Sequence, residues 1–466
     1  MKHLSTRGLA PHLSFDDIVL SGLAPDGGLY VPEVWPQLSP KQFNDFADQR
    51  YGQVAEAVLS ALGGSETALD LNGAIAGAYA QFRHPEVAPL RPLAPNLWML
   101  ELFHGPTFAF KDFALQLLGP LMAQRLERES RRLTVLAATS GDTGSAAIAA
   151  LAGRPNLDIV VLHPKGRVSE IQRRQMTTVM APNVHNIALE GDFDTAQALV
   201  KALFADRNLS AQMQLSAVNS INWARLAAQT VYFITACAAL RGRGPVTFVV
   251  PTGNFGDIFS GYAAKKMGAP IARLIAATNS NDIVARALTT GRYERRTVTP
   301  THSPSMDIQV ASNFERLLFD ASGRNPTQTM ALMEEFAQTG AFTVPSPVLT
   351  EMQATFGAFA ADETQTFAAI RRVHESTGMV VDPHTATGVA AAFAQDLTER
   401  GPVVCLATAH PAKFEAAIHA SLGFAPDIPA ELSALKTLPE RCVDLPADIN
   451  ALKDYLLTVV QQRGAL

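Results

Sequence analysis

From about residue 97 onward, short apolar runs alternate with segments of helical period. The runs are "LTVLAAT" (133–139), "LDIVVLHP" (157–164), "VHNIALEG" (184–191), "VTFVVPTG" (246–253), "RLIAATN" (273–279) and "PVVCLATAH" (402–410). Each precedes a stretch with apolar positions three or four apart, such as "SGDTGSAAIAALAG" or "FGDIFSGYAAKKMG". That grammar predicts βαβ units, and so an α/β fold of parallel sheets flanked by helices. In such sheets ligands sit at the carboxyl ends of strands, against helix N-termini. Ahead of this region, "GLAPDGGLYVPEVWP" (22–36) is rich in turn residues, and helical patterns follow around 39–63 and 66–83. The proline-spaced "HPEVAPLRPLAP" (84–95) reads as a linker. Residues 282–380 read as mainly helical with a loop at 292–311, and "RYERR" (292–296) as a solvated face.

Composition narrows the class. The chain of 466 residues is 47% hydrophobic and 17% charged, which suits a soluble globular enzyme of two or three domains. A formal net charge of −5 gives no reason to expect nucleic acid or an anionic membrane as partner. Cys237, Cys405 and Cys442 are scattered, with no CxxC and no Cys/His cluster, so neither a disulfide framework nor a metal site is expected. No apolar run approaches a membrane span, and the N-terminus lacks a signal-like apolar core. The cytoplasm is the simplest compartment.

Five motifs fall at element junctions. In "HGPTFAFKDFA" (104–114), Lys111 stands among Phe108, Ala109, Phe110 and Phe113 at a helix start. Apolar neighbours and the positive helix end both favour its neutral, nucleophilic amine. The competing reading is an ordinary helix-start lysine paired with Asp112. "PTGNFGDIFSG" (251–261) joins a strand to a helix, and Gly253 and Gly256 let backbone approach an anion. Neither a Walker lysine nor a GxGxxG spacing accompanies it, so a phosphate monoester is the natural guest. "TSGDTGSAA" (139–147) is a second anion cradle, with Ser140 or Asp142 as possible cap. "NSINWAR" (219–225) gathers amide, hydroxyl and guanidinium groups. In "CLATAHPAKFEAA" (405–417), Thr408 ends a strand and can face a cleft. Together these are the parts needed to hold pyridoxal 5′-phosphate on a lysine and to bind a second phosphate.

With these motifs in this order, and with "STRG…FDDIVLSGLAPDGGLYVPE" before them and "SMDIQVASNFERLLF" between them, the chain resembles the threonine synthase family over essentially its whole length, in its longer fungal and bacterial branch. The resemblance implies the tryptophan synthase β-subunit-like fold (fold type II), with an N-terminal domain over 1–95. A large cofactor domain over 96–130 plus 230–466 and a small α/β domain over 131–229 are expected with it. It implies conversion of O-phospho-L-homoserine and water to L-threonine and phosphate, by γ-elimination and β-addition of water. By motif, Lys111 is implied as the Schiff-base lysine. Gly253, Asn254, Phe255, Gly256 and Asp257 are implied around the cofactor phosphate, and Thr408 at the pyridine nitrogen. Ser140 to Thr143 are implied beside substrate and cofactor, Asp142 where many relatives carry asparagine. Thr143, Asn219, Ser220 and Arg225 are implied at the substrate phosphate. A threonine or serine dehydratase, or another β-elimination or β-replacement enzyme of the fold, is the alternative. A small-molecule substrate, a monomer or homodimer, and no nucleic acid, membrane or metal complete the expectation.

Overall fold

The structure is a computed structural model that describes residues 1–64, 67–217 and 220–463. The chain divides into two compact units, Met1–Leu117 with Ser220–Asp427, and Leu118–Asn219 with Ile428–Leu466.

The first unit is built on a six-stranded sheet. Its order is Phe356–Ala360, Ile271–Thr278, Val246–Pro251, Val403–Ala407, Leu97–Glu101 and Leu90–Ala94. The first five strands run parallel and the last closes antiparallel on its neighbour. The central strands Val246–Pro251 and Val403–Ala407 are buried along their whole length, which is why they read as unbroken apolar runs rather than as alternation. Val249, Ile275, Val403 and Cys405 pack against Ala386 and Val389 of the helix Pro383–Ala394.

Two segments depart from the expectation. Residues 84–95 are not a free linker: Leu90–Ala94 pairs with Leu97–Glu101. Pro92 lacks an N–H donor, so an edge strand is where it can sit. Within 292–311, Arg292–Glu294 pairs with Ala341–Thr343. Tyr293 there is buried and stacks on Phe314 and Phe342, so the run is solvated on its charged residues and not on its tyrosine. The strand Phe356–Ala360 is a further sheet member inside the region read as helical.

The N-terminal residues 1–95 fall within the first compact unit. Their small antiparallel sheet, Lys2–Ser5 with Leu13–Ser14 and Tyr30–Pro32, is tied in by buried polar contacts. The Thr6 hydroxyl and the Arg7 guanidinium both donate to Glu315. Buried Arg316 donates to the carbonyls of Tyr30 and Ile221 and to the Asn313 side chain.

The second unit carries an all-parallel sheet in the order Val443–Leu445, Val184–Leu189, Leu157–Pro164, Leu133–Ala138 and Leu215–Ser216. Here the expected boundaries change. The C-terminal strand Val443–Leu445 pairs with Val184–Leu189 instead of joining the large domain, and Leu452 and Leu456 enter the core of the same unit. Among the described residues, no helix is long and apolar enough to cross a membrane.

Candidate active site

Lys111 opens the helix Lys111–Arg128, and its side chain is buried. The loop before it is held by its own neighbour. Both carboxylate oxygens of Asp112 are engaged, accepting from the Thr107 N–H and hydroxyl, each at 2.8 Å, and from the Gln116 amide. Asp112 is therefore a loop clamp, which leaves the reading of Lys111 as half of a Lys–Asp surface pair without support. Burial raises the Asp112 carboxyl above its ordinary value, and the Thr107 bonds and nearby Lys413 oppose that. Phe108 takes a left-handed backbone (φ 59°), and the Lys111 Nζ lies 4.9 Å from the Phe110 ring centroid.

This turn is stitched to the end of a central strand. The Phe110 N–H donates to the Thr408 carbonyl at 2.8 Å, and the His410 N–H to the Phe108 carbonyl at 3.1 Å. The Lys413 ammonium caps the Thr107 carbonyl at 2.9 Å. Thr408 follows Val403–Ala407 at its carboxyl end and is 6% exposed, so the strand-end hydroxyl and the lysine share one edge of the sheet.

The adjacent strand Val246–Pro251 ends at the same edge and leads into the glycine loop. Phe255 is left-handed (φ 63°) and precedes the helix Gly256–Lys266, whose first N–H groups have no partner within the helix. A Cβ on Gly253 would lie 2.9 Å from the Ser305 carbonyl oxygen, and one on Gly256 3.2 Å from the Asn313 side chain. Glycine is needed at Gly253, where the contact is with backbone, whereas at Gly256 the Asn313 side chain would have to give by a few tenths of an ångström. The Asn254 carbonyl accepts from the backbone and side chain of Asn313, each at 3.0 Å.

The Asp257 side chain is engaged by the neighbouring helix Trp223–Ala239. It is buried and accepts from the Tyr232 hydroxyl through Oδ1, while Oδ2 has no hydrogen-bond partner. Burial pushes its carboxyl up to about 7, against the Tyr232 bond and the attraction of Lys111. Tyr232 lies seven residues beyond Arg225 on the helix Trp223–Ala239, hence on the same face, and its ring contacts Phe113. Arg225 is 3% exposed, and burial lowers its guanidinium to about 10. Ser220 Oγ lies 3.3 Å from Ser312 Oγ. Asn222 caps the helix and ties it to the Val19 carbonyl, a structural job. Asn219 lies outside the described residues.

Ser140, Asp142 and Thr143 stand in the second unit, where the strand Leu133–Ala138 leads into the helix Asp142–Leu151. The N-cap position is Gly141, not Ser140 or Asp142, and the hydroxyl that serves the helix start comes from Thr139. Its hydroxyl accepts from the N–H groups of Gly141 and Gly144, at 3.0 and 2.9 Å. Asp142 is buried and accepts from the Gln172 amide at 2.8 Å. Gly141, at φ 136°, has a backbone that other residues rarely adopt. Sequence reasoning missed Thr139, Tyr232, Ser305 and Asn313. Only Tyr232 carried a local signal, its spacing from Arg225.

Among the described residues, no group of three or more His, Cys, Asp or Glu side chains could hold a metal ion.

Residues 86–346 match the family described as pyridoxal-phosphate dependent enzyme. Residues 2–79 match the threonine synthase N terminus, and 385–456 the threonine synthase C-terminal family. A threonine synthase of Pseudomonas aeruginosa is 47% identical over 459 residues, covering 98% of each chain. The crystal structure of a pyridoxal-phosphate-bound threonine synthase from Brucella melitensis superposes with a TM-score of 0.95 at 47% identity, covering 99% of this chain and 100% of that one. The yeast threonine synthase structure gives 0.93 at 37% identity, covering 99% of both chains. On full-length similarity and matches at both termini, the chain belongs to the threonine synthase family, within the fold-type-II enzymes that depend on pyridoxal phosphate.

Proposed function

We propose that the protein is a threonine synthase that converts O-phospho-L-homoserine and water to L-threonine and phosphate. The observation that carries this reading is the stitched edge of the six-stranded sheet. A buried lysine, a strand-end hydroxyl and a glycine loop at a helix N-terminus all belong to it.

These residues suit pyridoxal 5′-phosphate. The loop Gly253–Asp257 offers backbone N–H groups and the positive end of a helix to a phosphate. Lys111 offers an amine, and Thr408 a hydroxyl for the ring nitrogen. When bound, the cofactor supplies an aldehyde that condenses with amines and a ring that takes up electron density from the substrate's Cα. Because Thr408 is a hydroxyl and not a carboxylate, it leaves the ring nitrogen without a compensating negative charge. With the cofactor bound, Lys111 as a free amine would take the proton at Cα, give it back to the conjugated system of cofactor and substrate, and only then take one at Cβ, whose loss would expel the γ-phosphate. It returns a proton at Cγ before water adds at Cβ. Arg225, with Ser220 and Asn219, is proposed to hold the substrate phosphate, because a planar guanidinium suits bidentate binding of phosphate oxygens. Ser140 and Thr143 are proposed to contact substrate, and Asp142 to serve the cofactor. The departing phosphate acts as acid or base toward the attacking water. We assign the activity to the cytoplasm, on three free cysteines. The enzyme acts as a monomer or homodimer without nucleic acid or membrane partners.

The test is product identity. Incubation with O-phosphohomoserine should release phosphate and threonine in equal amounts. Formation of 2-oxobutyrate or pyruvate instead would point to a dehydratase. Lys111→Ala should lower turnover on the order of 10²–10⁴-fold, the usual worth of a positioned acid/base.

A further inference from the structure

Three buried side chains outside the residues assigned above meet at one helix start. Asp382 caps the helix Pro383–Ala394, accepting from the N–H groups of His384 and Thr385. A cap requires nothing more. Here the same carboxylate also accepts from the His384 ring, 2.8 Å from Nδ1, and from the Thr385 hydroxyl. Each of these side chains then reaches onward. The Ser305 N–H donates to His384 Nε2 at 3.2 Å. A backbone N–H can only donate, so Nε2 is the acceptor and Nδ1 carries the proton toward Asp382. On the other side, Thr385 Oγ1 accepts from the Thr408 N–H at 3.1 Å. Asp382 and Thr385 are 1% exposed and His384 3%, so water does not compete for these bonds.

The two ends of the chain are the two ends of the cofactor cradle. The Ser305 carbonyl is the group against which Gly253 packs. Thr408 lies one residue past its strand, where the sheet ladder no longer fixes its N–H, and its carbonyl holds the turn of Lys111. The glycine loop has little stiffness of its own, and a strand end has less than a strand interior. A phosphate grip and a ring-nitrogen hydroxyl serve one rigid cofactor only if the distance between them is fixed.

We propose that Asp382, His384 and Thr385 are positioning residues that fix the Gly253 loop relative to Thr408, and so set how tightly and in what ring environment the cofactor is held. This rests on the cofactor reading above. Thr385→Val, Thr385→Ser and His384→Gln are to be compared with the wild-type holoenzyme and with Lys111→Ala. The readouts are the dissociation constant of pyridoxal 5′-phosphate, the visible absorbance maximum of the bound cofactor, and the unfolding temperature. Thr385→Val should weaken cofactor binding about tenfold, the worth of one buried hydrogen bond, and move the absorbance maximum. Thr385→Ser, which keeps the acceptor oxygen, should restore both. His384→Gln should weaken binding as well, and it decides the matter if Thr385→Val fails to fold. Wild-type affinity and spectrum in Thr385→Val or, where that variant does not fold, in His384→Gln overturn the proposal. So does a loss equal in the Ser and Val variants. A wild-type protein with no visible band that depends on Lys111 would overturn the cofactor reading instead.

Discussion

Asp257 is a buried carboxyl that the fold holds at a cost, and the cost can be measured. Burial lifts it from an ordinary 3.8 to about 7, while the Tyr232 hydroxyl and Lys111 pull the other way without prevailing. Between these values the unfolded chain has ionised Asp257 and the folded chain has kept its proton. Stability therefore falls as pH rises from about 3.8 to about 7 and levels off above. The penalty is absent below the lower value. At about 1.4 kcal/mol for each pH unit of the gap, the full penalty is about 4 kcal/mol. Asp257→Asn removes the ionisation and keeps an oxygen that can accept from Tyr232. Its new amide N–H₂ sits where Oδ2 has no partner, which adds a cost that does not change with pH. Urea unfolding of wild type and Asp257→Asn, both stripped of cofactor so that no phosphate charge enters the balance, isolates the pH-dependent part. The stability difference should move in favour of the variant by about 4 kcal/mol between about pH 4 and about pH 8. A difference that stays flat within about 1 kcal/mol over that range would refute the argument, because it would mean that Asp257 ionises as readily folded as unfolded.

Other consequences follow from the same geometry. Arg225→Gln should raise KM for O-phosphohomoserine by at least about tenfold, the scale of one charge-assisted bond, with cofactor affinity unchanged; steady-state kinetics beside a cofactor titration checks both. Gly253→Ala forces a Cβ against the Ser305 carbonyl, a backbone atom that cannot rotate away, and should cost about 1–3 kcal/mol of cofactor binding, read by titration. Arg316→Met strips buried partners from the carbonyls of Tyr30 and Ile221 and from Asn313. It should destabilise the protein by about 3–5 kcal/mol in urea unfolding, the range for breaking a buried charged network from one side.

Much of this was legible from local pattern. A strand buried on both faces has no choice but to be apolar throughout, so Val246–Pro251 and Leu157–Pro164 announced themselves. The apolar surroundings of Lys111 were legible because Phe110 is its neighbour both in sequence and in space. The edge strand Leu90–Ala94 was hidden because prolines at an edge look like prolines in a linker. Val443–Leu445 was hidden by its length, three residues being too few for any period to appear. The Thr139 hydroxyl could not be separated from Ser140 or Asp142 as the group that serves the helix start, because the choice depends on where Gly141 turns the backbone. The direction of Asp257 depends on a tyrosine 25 residues earlier.

The convergence of the motifs has a single cause that the sequence does not display. In a parallel sheet every strand delivers its carboxyl end to the same edge. The order that sets Val246–Pro251 beside Val403–Ala407, and that beside Leu97–Glu101, brings the glycine loop and Thr408 to that edge together. Lys111 reaches it by the backbone bridge at Ala109 and Ala409. Each motif could be recognised as a strand-to-helix junction, but strand order is set by pairing between segments more than a hundred residues apart. Asp382, His384 and Thr385 belong wholly to this second kind of information. Their helix start is ordinary in sequence, and what sets it apart is Ser305 on one side and Thr408 on the other. A side-chain chain of this kind is worth keeping buried because strand ends, unlike strand interiors, have no ladder to hold them in register.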